Sequence, residues 1–80
     1  MEPKEIEALI RAGLPDCEVS VHSDDLRHYA ATVVSPAFAG KRPLQRHQLV
    51  YAALGERMGT EIHALSIQAL TPEEAAGREA

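Results

Sequence analysis

The chain has 80 residues with a formal net charge of −4, and 45% of its residues are hydrophobic while 25% are charged. This length supports a single domain over residues 1–80, because a second core would leave each half too small to bury enough surface. The negative charge argues against a protein wrapped in nucleic acid over its whole surface. The single cysteine, Cys17, excludes an internal disulfide and an all-cysteine metal site in this chain. No apolar run approaches the length of a membrane span or a signal-peptide core, so we expect a cytoplasmic protein.

The first predicted element is a helix that begins near Pro3. Proline suits the first position of a helix, and Ile6, Leu9 and Ile10 recur at the spacing of one helical face. Gly13 predicts the end of this helix, since glycine commonly follows the last helical turn.

Two alternating segments follow the first helix. "CEVSVH" (17–22) and "HYAATVV" (28–34) place apolar residues at every second position, as in half-buried strands. The linker between them, "SDDLR" (23–27), is short and polar. Two such strands joined by such a linker predict an antiparallel hairpin.

A loop and a second helix come next. "SPAFAGKRP" (35–43) contains two prolines and a glycine, which are typical of a loop. From Leu44 the helical period returns, and Gly59 predicts the end of the helix. The residues that this period places on one face are His47, Val50, Tyr51, Leu54 and Met58.

The last two predicted elements are a strand and a short helix. "ALSIQAL" (64–70) is uncharged and mostly apolar, and Thr71 and Glu74 in "TPEE" form the pattern of a capping box. The order α-β-β-α-β-α predicts an α+β domain. Its three-stranded mixed sheet is expected to be covered on one face by two helices.

The sequence offers little support for an enzyme. A hydrolytic triad requires a nucleophile beside a base in a cleft that excludes water, and a chain of 80 residues with one thin core leaves little room for it. The chain has no Gly-x-Ser-x-Gly turn, and its five glycines are too scattered to form a phosphate-binding loop. We therefore expect a protein without catalytic residues.

Three basic residues cluster where the loop enters the second helix: Lys41, Arg42 and Arg46. A helix N-terminus carries a partial positive charge, so this junction suits a phosphate of a nucleic acid or of a small ligand. The alternative is a solvated helix start, because short basic clusters are common on protein surfaces.

Four histidines are dispersed along the chain: His22, His28, His47 and His63. None of them is paired with a second ligand at the spacing of a zinc motif. His47 falls on the apolar face of the second helix, where a half-buried structural role is expected. His63 stands at the entrance of the last strand, so it is either a packed residue or a residue that the strand holds at the surface.

Three stretches resemble the BolA family: "HYAATVVSPAF" (28–38), "FAGKRPLQRHQLVYAAL" (38–54) and "IHALSIQALTPEE" (62–74). The pattern is Phe-x-Gly-Lys, then Gln-Arg-His-x-x-Val, a helix, and a final strand that opens with histidine and is followed by Thr-Pro. The short turn before Tyr29 resembles the compact bacterial members. Ala75 and Ala76 stand where many members carry a tryptophan, so we expect a looser last helix.

The resemblance implies a fold similar to a class II KH domain. KH domains clamp nucleotides with a Gly-x-x-Gly loop. That spacing does not occur in this sequence, so single-stranded RNA binding of the KH type is not expected.

The main functional implication of the resemblance is partnership with a monothiol glutaredoxin in iron–sulfur trafficking and iron homeostasis. In such complexes a [2Fe-2S] cluster bridges the two proteins, with one thiolate from the glutaredoxin and one from bound glutathione. The family's ligand at the start of the last strand corresponds to His63. For the second ligand, from the hairpin, His22 is the first choice because it borders the turn, His28 is the second and Cys17 the third. Two imidazoles and two outside thiolates would resemble a Rieske-type ligand set.

The resemblance also implies an alternative function, that of a DNA-binding transcriptional regulator. Family members have been associated with DNA binding through the second helix and the loop before it, which correspond here to Lys41, Arg42 and Arg46. A third alternative is that His63 only packs, and that the similarity reflects a shared fold without a shared activity.

Overall fold

The computed structural model describes residues 1–14, 16–60, 62 and 64–79, and of Arg78 and Glu79 it describes the backbone alone. The elements in chain order are α1 (Pro3–Gly13), β1 (Glu18–His22), β2 (His28–Val34), α2 (Pro43–Leu54), β3 (Ala64–Leu70) and α3 (Pro72–Glu79). Short 3₁₀ turns at Pro36–Phe38 and Gly55–Arg57 flank α2. The predicted α+β order is confirmed.

The sheet has the order β1-β2-β3, with β2 in the centre. β1 and β2 pair antiparallel, which confirms the predicted hairpin, and His22 lies opposite Ala30. β2 and β3 pair parallel, and His28 lies opposite Ala64. A parallel pair requires a crossover, and α2 provides it. The sheet is therefore mixed, as predicted.

Helices α1 and α2 pack on one face of the sheet, which we call the inner face. The side chains of Val19, Val21, Tyr29, Ala31 and Val33 alternate along β1 and β2 and are buried on this face. They meet fully buried residues from the helices and from the turn before α2: Ile6, Ile10, Phe38, Val50 and Leu54. The intervening side chains of β1 and β2 lie on the opposite, outer face, where His22 and His28 are exposed and Val34 is half-buried.

The packing of α1 against α2 depends on Gly13. A Cβ atom at this position would lie 2.5 Å from the Cβ atom of Ala53 in α2, closer than real Cβ contacts come. The sequence predicts Gly13 only as a helix end, and the structure shows a second role for it, which is the close approach of the two helices.

Helix α2 ends earlier than its periodicity predicts. Its last residue is Leu54, and Gly55 follows with a φ of 59°, a left-handed conformation that glycine adopts easily. Met58 therefore lies beyond the helix and forms an isolated bridge with Ile62. Of the five residues predicted to share a buried face, Tyr51 differs most, since 40% of it is exposed.

Candidate functional site

His22 and His28 lie at the same end of the sheet, on either side of the hairpin loop. His22 is the last residue of β1 and His28 is the first residue of β2. Their side chains are 75% and 62% exposed on the outer face. The structure thus brings both predicted hairpin ligands to one exposed edge of the protein.

The hairpin loop is ordered by Asp25. Its Oδ1 accepts hydrogen bonds from the backbone N–H groups of Arg27 and His28, both at 2.9 Å, and its Oδ2 lies 2.8 Å from Nδ1 of the His28 ring. These hydrogen bonds, led by the backbone N–H of His28, hold the pKa of the Asp25 carboxyl well below its ordinary value. Because an ionised carboxylate can only accept, Nδ1 of His28 carries the proton. Asp25 therefore fixes both the position and the tautomer of His28.

A second set of contacts, made by Ser23 and Tyr29, also holds the loop in place. Ser23 Oγ donates to the C=O of His28 at 2.7 Å and accepts from the N–H of Leu26 at 2.9 Å. Leu26 has a φ of 58°, an uncommon conformation for a residue with a side chain. The hydroxyl of Tyr29 lies 2.8 Å from the C=O of Leu26, and it also reaches the C=O of Met1. Burial of this ring raises the pKa of Tyr29, so its hydroxyl stays protonated as the donor.

His22 is held less firmly than His28. Its Nε2 lies 3.0 Å from Oδ1 of Asp24, whose side chain is 92% exposed. An exposed pair of this kind contributes little to stability, because both side chains lose freedom and water screens the charge. Asp25 is anchored by backbone N–H groups, whereas the described contacts of Asp24 run through the His22 ring alone.

His63, the predicted ligand at the start of the last strand, lies outside the described residues. Its neighbours in the chain are described. Ile62 is fully buried, and the N–H of Ala64 donates to the C=O of Arg27 at 3.1 Å. Ala64 pairs with His28 in the sheet. Ala64, which follows His63 in the chain, therefore joins the sheet at the end where His22 and His28 lie.

Cys17, the third choice for the hairpin ligand, is half-buried against the core. Its Sγ lies 3.9 Å from the C=O of Ile10. Burial raises the pKa of the Cys17 thiol, which disfavours the thiolate that a metal requires. Among the described residues, no group of three or more histidine, cysteine, aspartate or glutamate side chains could hold a metal ion.

The basic cluster lies at the opposite end of the sheet, and its members differ. The side chain of Arg46 is only 13% exposed. It donates to the C=O of Lys41 at 2.9 Å, to the C=O of Ala69 at 3.0 Å and to both carboxylate oxygens of Glu74, at 2.6 and 3.3 Å. Lys41 and Arg42 are exposed at the start of α2. They are the two members of the cluster with side chains directed to solvent.

Glu74 joins α3 to this end of the sheet. It forms the predicted capping box, since the N–H of Thr71 donates to Glu74 Oε1 at 2.8 Å and the N–H of Glu74 donates to Thr71 Oγ1 at 3.2 Å. A cavity of about 300 Å³ lies beside α3 and is lined by Asp16, Glu18, Val34, Pro72, Ala75 and Ala76. Two of its lining residues, Ala75 and Ala76, stand where many members of the family that the sequence resembles carry a tryptophan.

Two features of the site were not predicted from the sequence. Asp24 and Asp25 were assigned only to a polar linker, although an aspartate before a turn commonly accepts from backbone N–H groups a few residues later. The partner of Arg46 was also missed, because Glu74 is distant in sequence and the contact depends on the fold.

Within the described part of the chain, no helix is long and apolar enough to cross a membrane.

Both the sequence and the structure of this chain are similar to those of known proteins. Human BolA-like protein 1 is 58% identical over 45 residues, which cover 56% of this chain and 33% of the human protein. The DNA-binding transcriptional regulator BolA of Vibrio cholerae is 47% identical over 47 residues, covering 59% of this chain and 44% of the regulator. This chain thus matches less than half the length of either relative. A solved BolA homologue from Coxiella burnetii is 40% identical, covers 95% of this chain and 97% of its own, and superposes with a TM-score of 0.86.

The family model described as BolA-like protein matches residues 16–74, which include the hairpin, α2, β3 and the start of α3. The match therefore covers the exposed histidines, the basic cluster and the Arg46–Glu74 contact. This chain belongs to the BolA family.

Proposed function

We propose that the protein is a non-enzymatic adaptor that docks with a monothiol glutaredoxin and shares a bridging [2Fe-2S] cluster with it. The observation that carries this proposal is the contact between His28 and Asp25 at the hairpin end of the sheet. A carboxylate that holds one nitrogen of a histidine fixes the ring and increases its basicity as a metal ligand. With Nδ1 bound to Asp25, the nitrogen suited to coordination is Nε2.

The donor set at this end of the sheet fits an iron–sulfur cluster that is completed from outside. Imidazole nitrogens replace thiolates on one iron of Rieske-type centres, so two histidines from this chain and two thiolates from the partner and glutathione satisfy four positions. When bound, the cluster would supply one-electron chemistry and a transferable iron–sulfur unit. The contribution of this chain is to orient its imidazoles and to present them at an exposed edge where a partner can approach.

We assign the two positions to His63 and His28, with His22 as the alternative to His28. The sequence favoured His22 because it borders the turn. His28 is favoured here because Asp25, itself held by two backbone N–H groups, fixes its ring, and because its strand pairs with the residue that follows His63. Rigid elements position ligands better than mobile ones.

A visible circular dichroism titration of cluster-loaded monothiol glutaredoxin tests the proposal. We expect the wild-type protein to produce a new cluster spectrum, and His63→Ala and His28→Ala each to abolish or strongly weaken it. His22→Ala serves as the matched control, since it removes an exposed histidine from the other side of the same loop. A spectrum that depends on His22 and not on His28 would reverse the assignment. No new spectrum with the wild-type protein would refute cluster sharing.

A second candidate function is DNA binding at the start of α2. It is supported by the similarity to the Vibrio cholerae protein, which is named a DNA-binding transcriptional regulator, and by the exposure of Lys41 and Arg42 beside a helix N-terminus. A gel-shift titration over a range of salt concentrations tests it, because each phosphate contact adds to the salt dependence. Affinity should fall in Lys41→Ala and Arg42→Ala and stay unchanged in His28→Ala. Equal binding by all three variants would refute this candidate.

A further inference from the structure

The two edges of the sheet differ in the number of side-chain hydrogen bonds that their outward backbone groups receive from the described residues. At the edge formed by β1, side chains of α1 bind the outward backbone groups. The N–H of Val21 donates to Glu7 Oε2 at 3.0 Å, and Arg11 donates to the C=O of Val19 at 3.4 Å. Glu7 and Arg11 also pair with each other at 3.7 Å. This edge is therefore protected from pairing with another strand.

The edge formed by β3 has no comparable protection along most of its length. The N–H of Ala64 donates to Arg27, and the C=O of Leu70 accepts from Ser35, so these two residues bond toward β2. Alternate residues of a parallel ladder bond to the same neighbour. The residues that direct their backbone groups away from β2 are consequently Leu65, Ile67 and Ala69.

Among the hydrogen bonds of the described residues, only one reaches these outward groups. It is the bond from Arg46 to the C=O of Ala69 at 3.0 Å. The outward N–H and C=O groups of Leu65 and Ile67 have no partner within the described chain. Both side chains lie half-buried at the margin of the inner face and pack against the core. An edge of this kind is a template for a further strand.

We propose that the β3 edge pairs with the β3 edge of a second copy of this chain, in an antiparallel arrangement around a two-fold axis at Ile67. Ile67 then exchanges two hydrogen bonds with its counterpart, and Leu65 pairs with Ala69 of the other copy. The C=O of Ala69 has a second lone pair, so it can accept from the other copy while it keeps Arg46. The product is a continuous six-stranded sheet with an isologous interface.

The composition of β3 favours a second copy as the occupant. A two-fold interface brings every residue of the strand opposite the same strand, so a charged residue would meet like charge nearby. The sequence from Ala64 to Leu70 carries no charge, although the chain has a net charge of −4. The remaining exposed surface of Leu65 and Ile67 would be covered by the same apolar residues of the other copy.

Sedimentation velocity over a range of protein concentrations tests the proposal. We expect a monomer–dimer equilibrium in the wild-type protein that is about tenfold or more weaker in the double variant Ser66→Lys/Gln68→Lys, which sets lysines opposite one another across the axis. The matched control is Ser20→Lys/Thr32→Lys. It adds the same charge to the same outer face at a pair of residues that face each other within the β1–β2 hairpin.

Each outcome bears on the proposal. A dimer that persists in the control and weakens in the edge variant supports it. A wild-type protein that stays monomeric, a dimer unaffected by the edge variant, or a dimer weakened equally by both variants would overturn it. Hydrogen exchange provides a readout that needs no variant. The amides of Leu65 and Ile67 in the wild-type protein should show protection that increases with protein concentration, and the absence of this increase would also overturn the proposal.

Discussion

Asp25 at the hairpin end of the sheet and Glu74 at the α3 end each accept several hydrogen bonds, but they hold different kinds of side chain. Glu74 holds Arg46, which is permanently charged and whose side chain is only 13% exposed. Asp25 holds His28, whose ring is 62% exposed. One end of the sheet is thus fastened by a partly buried ion pair that joins α2, β3 and α3. The other end presents an oriented imidazole to solvent.

The partly buried ion pair and the exposed histidines lie at opposite ends of the sheet, so under our proposal stability and ligand binding depend on different ends. Arg46 was predicted as part of an anion site, yet its guanidinium is engaged by two backbone carbonyls and a carboxylate. The hairpin end contains no such cross-link between helices among its described contacts. Substitutions at the α3 end should therefore change mainly the free energy of unfolding. Substitutions at the hairpin end should change mainly the histidine ring.

The largest effect on stability is expected from Arg46→Ala. This change leaves the C=O of Ala69 without its described side-chain partner and removes the cation that Glu74 faces, so the free energy of unfolding should fall by about 2 kcal/mol. Urea denaturation monitored by circular dichroism measures this change. Lys41→Ala, at an exposed residue of the same cluster, is the control and should change stability by roughly 0.5 kcal/mol or less. Equal effects of the two substitutions would contradict the structural role of Arg46.

A smaller, pH-dependent effect is expected from Glu74→Gln. The hydrogen bond from Arg46, followed by that from the Thr71 backbone, lowers the pKa of Glu74 below its ordinary value of 4.5. The unfolded chain therefore binds a proton first as the pH falls, and the stabilisation is present above pH 4.5 and is lost below it as the folded carboxyl is protonated.

Urea denaturation at a series of pH values measures this dependence. The wild-type protein should be more stable than Glu74→Gln at neutral pH, and the difference should shrink as the pH falls below 4.5. Subtracting the variant from the wild type also removes the acid dependence contributed by Asp25, whose pKa is lowered as well. A difference that stayed constant from neutral to acid pH would show that the charge of Glu74 does not contribute.

For Asp25→Asn, the expected effect is on the ring of His28. An asparagine can donate to Nδ1 of His28, so it would permit the tautomer that carries the proton on Nε2. Nitrogen-15 NMR of the imidazole rings should then detect a shift of His28 away from the Nδ1–H tautomer, and cluster binding should weaken by about tenfold or more.

Asp24→Asn is the control for this experiment, since Asp24 contacts the neighbouring histidine at an exposed position. It should leave the tautomer of His28 and the cluster spectrum unchanged. An unchanged His28 ring in Asp25→Asn would mean that the carboxylate does not set its tautomer.

Much of the fold could be predicted because hydrophobic periodicity and capping residues are local signals. The alternation in β1 and β2 and the capping box of Thr71 and Glu74 follow from residues close together in the chain. The parallel addition of β3 was predicted from the helix crossover between β2 and β3. The end of α2 could not be predicted in the same way. The helical spacing of apolar residues reaches from Leu54 to Met58, and only the left-handed conformation of Gly55 shows where the helix stops.

The site was predicted less completely, because contacts between distant residues decide it. The exposure of His22 and His28 followed from strand alternation, and their grouping followed from the hairpin. The periodic pattern placed Tyr51 with the core residues of α2, yet it is 40% exposed, since the pattern does not show where the packed face ends. The engagement of Arg46 by Glu74 required the position of α3 relative to α2, which the sequence does not reveal. The roles of His63, His28 and His22 as ligands stay predictions.

The parallel pairing of β2 with β3 also bears on the order in which the protein folds. The β1–β2 hairpin closes a short loop, whereas pairing of His28 with Ala64 must enclose the whole of α2. Closing the longer loop costs more chain entropy, and contacts between distant residues slow folding. The hairpin histidines and the strand that follows His63 are therefore joined late, when α2 has packed. In a nascent or partly unfolded chain His28 would be separate from the strand that follows His63, so the proposed pair of ligands would form only in the completed domain.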